Sequence, residues 1–129
     1  MDFASVVRVQ MMSALGGGGA LLVVPGLLLA PFGLTPTPHL EVVARMLGGV
    51  LFALGATLAG VGGVTDRPTQ IRVCVGNAVC DGSIALFLTV ATLGATLNLF
   101  GWALVAIFAG NCLSWLVALA TGRAAPANG

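Results

Sequence analysis

There is no lysine in this chain; its five basic residues are all arginines, which excludes chemistry built on a lysine Schiff base. Charge of either sign is scarce, at 7% of 129 residues. The single histidine, His39, has only Glu41 near it in sequence, too few ligands for a metal or haem centre. The three cysteines, Cys74, Cys80 and Cys112, nowhere form a Cys-x-x-Cys pair, so dithiol redox chemistry of that type is excluded. A nucleophile with a positioned acid-base partner is also missing, so no enzymatic activity, catalytic residue or metal is expected. The glycine run Gly16 to Gly19 has no Gly-Lys-Ser/Thr after it and no strand pattern before it, so it is not a phosphate loop. Nothing in the composition suggests a nucleic-acid partner.

What is present is hydrocarbon. The chain is 58% hydrophobic with a mean hydropathy of +1.08, beyond what a soluble domain of this size tolerates. Apolar runs at about 11–32, 41–63, 73–95 and 102–121 are each long enough to cross a hydrocarbon core of roughly 30 Å at 1.5 Å per residue. The expected fold is therefore all-α, a polytopic membrane protein forming an antiparallel four-transmembrane-helix bundle in a single domain over 1–129. The first run outlasts the apolar core of a signal peptide, so it reads as a retained helix preceded by an amphipathic lead, Met1 to Gln10. Arg8, Arg67, Arg72 and Arg123 fall on the side of the termini and the second loop, and Arg45 on the other. The positive-inside rule then puts both termini in the cytoplasm.

Small residues mark the expected seams. The glycine run lets a neighbouring helix approach closely, and Pro25 should kink the first span. In the second span, Gly48, Phe52, Ala56 and Gly60 form one stripe and Gly55, Ala59 and Gly63 another. Glu41 and Arg45, four residues apart, have the favourable order for an ion pair at the interface. Loops are expected at Gly33 to Leu40, Val64 to Arg72 and Thr96 to Gly101, with Trp102 as an interfacial anchor.

The polar exceptions sit in the last two spans. Asp81 is roughly 13 Å into the third by the standard rise, too deep for a short carboxylate to reach headgroups, so it must be neutral, face the bundle or meet a cation. Asn77 shares its face, Asn111 lies near the middle of the fourth span, and Arg8 is the cation expected to enter from the same side. The cysteines read as small apolar residues, with a contact between Cys80 and Cys112 as the alternative. Asn77, Asp81, Asn111 and Arg8 are thus the candidates for a ligand site or polar cluster.

Known four-helix miniatures differ at defined places. The first span lacks the acidic residue of a small multidrug exporter, and the chain lacks both the fluoride-channel break and the Glu-Arg and His-x-Asn patterns of glutathione-linked membrane enzymes. By contrast, Val24-Pro25-Gly26, Glu41 to Gly49 with Gly55, Asn77 to Asp81, and Asn98-Leu99-Phe100-Gly101-Trp102 resemble the broad DoxX-like group of small four-helix bacterial membrane proteins. The resemblance implies an up-down bundle and, in some members, association with a membrane oxidoreductase. The leading expectation is an accessory or scaffolding subunit that contacts membrane lipid and packs as a homo-oligomer or in a larger membrane complex. The alternatives are a quinone- or lipid-binding protein, with a bound lipid or quinone as its only cofactor, and a proton-coupled solute or ion carrier using Asp81.

Overall fold

The computed structural model describes residues 2–121; Arg123 and the tail that follows it lie outside the described residues. The chain is all-helical, with α1 at Phe3–Val23, α2 at Pro25–Leu29 continued by a 3-10 turn at Ala30–Phe32, α3 at Pro38–Val61, α4 at Arg67–Leu93 and α5 at Gly101–Thr121. The four long helices, α1, α3, α4 and α5, are each long and apolar enough to cross a membrane.

Three helix starts lie earlier than the hydropathy suggests, and caps explain them; α3 begins at Pro38, inside the expected first loop, where the Thr37 hydroxyl accepts the Leu40 amide at 3.2 Å. Helix α1 begins at Phe3, so the expected amphipathic lead is its first turns; Asp2 accepts the Ser5 amide at 2.8 Å. Helix α4 begins at Arg67, inside the expected second loop, because Asp66 accepts the Thr69 amide at 3.0 Å and Pro68 suits a first turn. Hydrogen bonding to Thr69 holds the Asp66 carboxyl below its ordinary value.

The kink expected at Pro25 is a full break. Proline supplies no amide proton and disfavours helical geometry in the residue before it. Val24 accordingly adopts φ −130° and ψ 55°, and its N–H still closes on Ala20 at 2.9 Å. The last carbonyls of α1 lose their normal partners, and the Arg45 guanidinium donates to the Leu22 carbonyl. The expected Glu41–Arg45 ion pair is therefore not formed. The Glu41 carboxylate instead lies over Gly26, where a Cβ would come within 3.6 Å of Oε1.

The four helices make two antiparallel hairpins, α1 with α3 and α4 with α5. In the first, backbones touch: a Cβ on Gly18 would lie 2.6 Å from the Phe52 nitrogen, and one on Gly48 would lie 2.8 Å from the Gly18 oxygen. Gly55 closes on Leu15 in the same way. The seam is thus Ala44, Gly48, Gly55 and Leu58, a near-heptad spacing. The two expected stripes are corrected by it, since Phe52, Ala56, Ala59, Gly60 and Gly63 are exposed. Of the glycine run, only Gly18 is buried.

In the second hairpin Gly82 faces the Cys112 sulfur, where a Cβ would stand at 3.4 Å. Cys80 is exposed, so the Cys80–Cys112 contact is not made; Cys80 precedes Gly82 by two residues, about 200° of helical rotation. Arg67 donates to the Leu119 carbonyl at 2.7 Å, tying the start of α4 to the last turn of α5.

The hairpins meet at both ends. At the terminal end Phe3, Val6, Val7, Leu58, Cys74, Ala78, Trp115 and Ala118 form one buried cluster drawn from all four long helices. At the opposite end Asn98 donates through Nδ2 to the Pro31 carbonyl at 2.7 Å and through its backbone N–H to Phe32 at 3.2 Å. Gly33 sits against it with φ 80°, a conformation in which a side chain would be strained.

Candidate functional site

The terminal cluster gives way, one turn further into the bundle, to polar residues. On α4 the inner stripe runs Cys74, Ala78, Asp81 and Ala85, with Asp81 half-buried and the others buried. On α5 the stripe runs Asn111, Trp115 and Ala118, with Asn111 half-buried. The Asp81 carboxyl lies beside the Trp115 indole. Trp115 is completely buried, and its Nε1 makes no hydrogen bond of normal geometry.

On α1 the stripe Phe3, Val6, Val7 and Gln10 is buried throughout. Gln10 is the residue that sequence reasoning missed. Its signal is the three- and four-residue spacing from Val6 and Val7, visible only once α1 is known to start at Phe3. Gln10, Asp81 and Asn111 thus follow the same apolar cluster on three helices.

The remaining candidates stand elsewhere. Asn77 is half-buried, but its Nδ2 donates to the Val73 carbonyl of its own helix at 2.9 Å, a local bond that needs no partner helix. Arg8 is not beside Asp81: it is exposed and lines a groove of about 220 Å³ between α1 and α3. The reason is rotational, since the inner face of α1 carries Val7 and Gln10 and turns Arg8 outward. Glu41 and Arg45 lie at the opposite end, at the break in α1.

A larger cleft of about 910 Å³ opens at the terminal end beside Phe3, Gly63, Arg67 and Ala118. Neither this cleft nor the Arg8 groove is lined by Asn77, Asp81 or Asn111. Among the described residues no three His, Cys, Asp or Glu side chains are grouped as metal ligands.

Chemically, the Asp81 layer can donate and accept hydrogen bonds between helices. No family model matches the chain, and no curated protein or solved structure matches it either.

Proposed function

We propose that this membrane protein is a non-enzymatic packing subunit of the bacterial inner membrane, assembling with further copies of itself or with a larger membrane complex. One observation carries this reading. Gly16 and Gly17 in α1, Gly60 in α3, Gly76 in α4 and Gly110 in α5 are helical, yet a Cβ at any of them would meet nothing within 4 Å. Each costs a helix up to about 1 kcal/mol relative to alanine. Among the described residues nothing offsets that cost, whereas Gly18, Gly48 and Gly55 make close backbone contacts. A second helix laid against the open positions would restore the balance through close packing.

The burial pattern agrees. Only 22% of the most apolar window of α1 and α3, and 11% of that of α4 and α5, is buried inside the chain. Arg8, Arg67 and Arg72 at the terminal end, against Arg45 at the other, support cytoplasmic termini. The DoxX-like resemblance fits an accessory role beside an oxidoreductase. No cofactor is required by this reading.

Cys80 provides the test. It is exposed, and it lies one helical turn from Gly76 on the same face of α4. Oxidative cross-linking in native membranes, followed by purification into nanodiscs and mass measurement, should give either a Cys80-linked dimer or a stoichiometric partner. Gly76→Leu should reduce that product. A preparation that is monomeric, free of other proteins and insensitive to leucine at Gly16, Gly76 and Gly110 would overturn the proposal.

A further inference from the structure

The four arginines among the described residues divide into two kinds. Arg45 and Arg67 are engaged, each donating to a carbonyl near the end of a neighbouring helix. Arg8 and Arg72 are exposed and make no hydrogen bond or ion pair within the described chain. The carboxylates at the same end are occupied as helix caps, Asp2 by the Ser5 amide and Asp66 by the Thr69 amide. Asp2 attracts Arg8 only through space, without an ion pair, so the Arg8 guanidinium keeps its donors unengaged among the described residues.

Its surroundings separate it from Arg72. Ala4, Val7, Arg8 and Met11 of α1 face Leu58, Ala59, Gly62 and Gly63 at the end of α3, and together they enclose the groove of about 220 Å³. The groove takes no residue from α4 or α5. Small residues make it: Ala4, Ala59 and Gly63 leave the space open, and a Cβ at Gly63 would meet nothing within 4 Å. Arg8 gives one wall its charge, while Val7, Met11 and Leu58 make the rest apolar and lead inward along the helices.

We infer that this groove holds an anionic glycerophospholipid, with the headgroup phosphate on the Arg8 guanidinium and an acyl chain along Met11 and Leu58. A guanidinium matches a phosphate through paired donors. The apolar walls select a lipid over a free phosphate, which would bury their hydrocarbon against nothing. Arginine close to a membrane end also contributes attraction to anionic headgroups. The site is separate from the assembly proposed above, since none of Gly16, Gly17, Gly60, Gly76, Gly110 or Cys80 lines the groove.

The test is native mass spectrometry of lipid retained by protein from nanodiscs of phosphatidylglycerol or phosphatidylcholine. The wild-type protein should retain phosphatidylglycerol over phosphatidylcholine. Arg8→Gln should lower that retention about fivefold, the effect expected of one surface arginine. Arg8→Lys should restore most of it, and Arg72→Gln should leave it unchanged. Excess inorganic phosphate should not displace the lipid. Equal loss on Arg72→Gln, unchanged retention in Arg8→Gln, or displacement by inorganic phosphate would each overturn the inference. Arg8 is exposed, so Arg8→Gln leaves the apolar core untouched, and circular dichroism checks that the helices are retained.

Discussion

Alanine at Gly48 and alanine at Gly49 should move stability in opposite directions, although the residues are adjacent in one helix. At Gly48 the new methyl would sit 2.8 Å from the Gly18 oxygen, 2.8 Å from the Leu22 nitrogen and 2.9 Å from the Leu21 Cβ. Two of those atoms are backbone, so relief requires α1 and α3 to separate rather than a side chain to turn. Overpacking of this kind costs about 1–3 kcal/mol. The gain in helix propensity returns up to about 1 kcal/mol, leaving a net loss of about 1–2 kcal/mol for Gly48→Ala. At Gly49 the methyl meets only the Leu22 Cδ2, at 3.9 Å, an ordinary contact. There the propensity gain stands alone, and Gly49→Ala should stabilise by about 0.5–1 kcal/mol. Reversible unfolding in mixed micelles, followed by far-ultraviolet circular dichroism, measures both variants against the parent. A Gly48→Ala protein as stable as Gly49→Ala would refute the backbone contact between α1 and α3 on which the first hairpin rests.

Two further outcomes follow from backbone and caps. Ala95 is held at φ 57° and is exposed, where a side chain costs about 1 kcal/mol; Ala95→Gly should therefore raise stability by about 0.5–1 kcal/mol in the same assay, and a loss would show that its methyl packs. The Asp66 carboxyl is held below its ordinary value of 3.8 by hydrogen bonding to Thr69. A depressed carboxyl contributes stability that is complete above its unfolded value and is lost as pH falls through the lower folded one. Protection of amides at the start of α4, taken relative to the intrinsic exchange rate at each pH, should therefore fall below about pH 4. Asp66→Asn should keep the cap and abolish that acid dependence; acid-sensitive exchange in the Asn variant would remove Asp66 as its cause.

The four spans are legible because hydropathy depends only on composition over about 20 residues. Helix starts at Phe3 and Arg67 are harder, because the first turns carry Arg8, Arg67, Gln70 and Arg72 and so read as lead or loop. Only the caps Asp2 and Asp66 mark them. Misplacing the start of α1 hides Gln10, and it also hides the rotation that turns Arg8 away from Asp81. The glycine seams are legible as a class but not by member. Several stripes of small residues coexist on α3, and which one touches α1 depends on the partner helix. Arg45 and Glu41 have ideal spacing for a pair, yet the break at Pro25 frees a carbonyl that competes for the guanidinium. A local rule loses there to a tertiary one. Asp81 is conspicuous from sequence alone, whereas its neighbour Trp115 is not, since a tryptophan in an apolar span looks like hydrocarbon until its N–H is found buried.

That N–H gives the polar layer its physical sense. With Arg45 and Arg67 taken up by helix-end carbonyls, Arg8 turned to the groove and Arg72 exposed nine residues earlier on α4, none of the described arginines meets Asp81. The Trp115 indole lies beside the carboxyl instead, without a hydrogen bond of normal geometry. A rotation of α5 by one residue, 100°, would carry Trp115 out of the cluster and its N–H away from Asp81. Neither helix can slip without separating the two. Burial of Trp115 and placement of Asp81 therefore specify one register of α4 on α5, just as Gly18 and Gly48 specify one register of α1 on α3. Both hairpins are fixed from within, which leaves their outward glycine faces free for other helices.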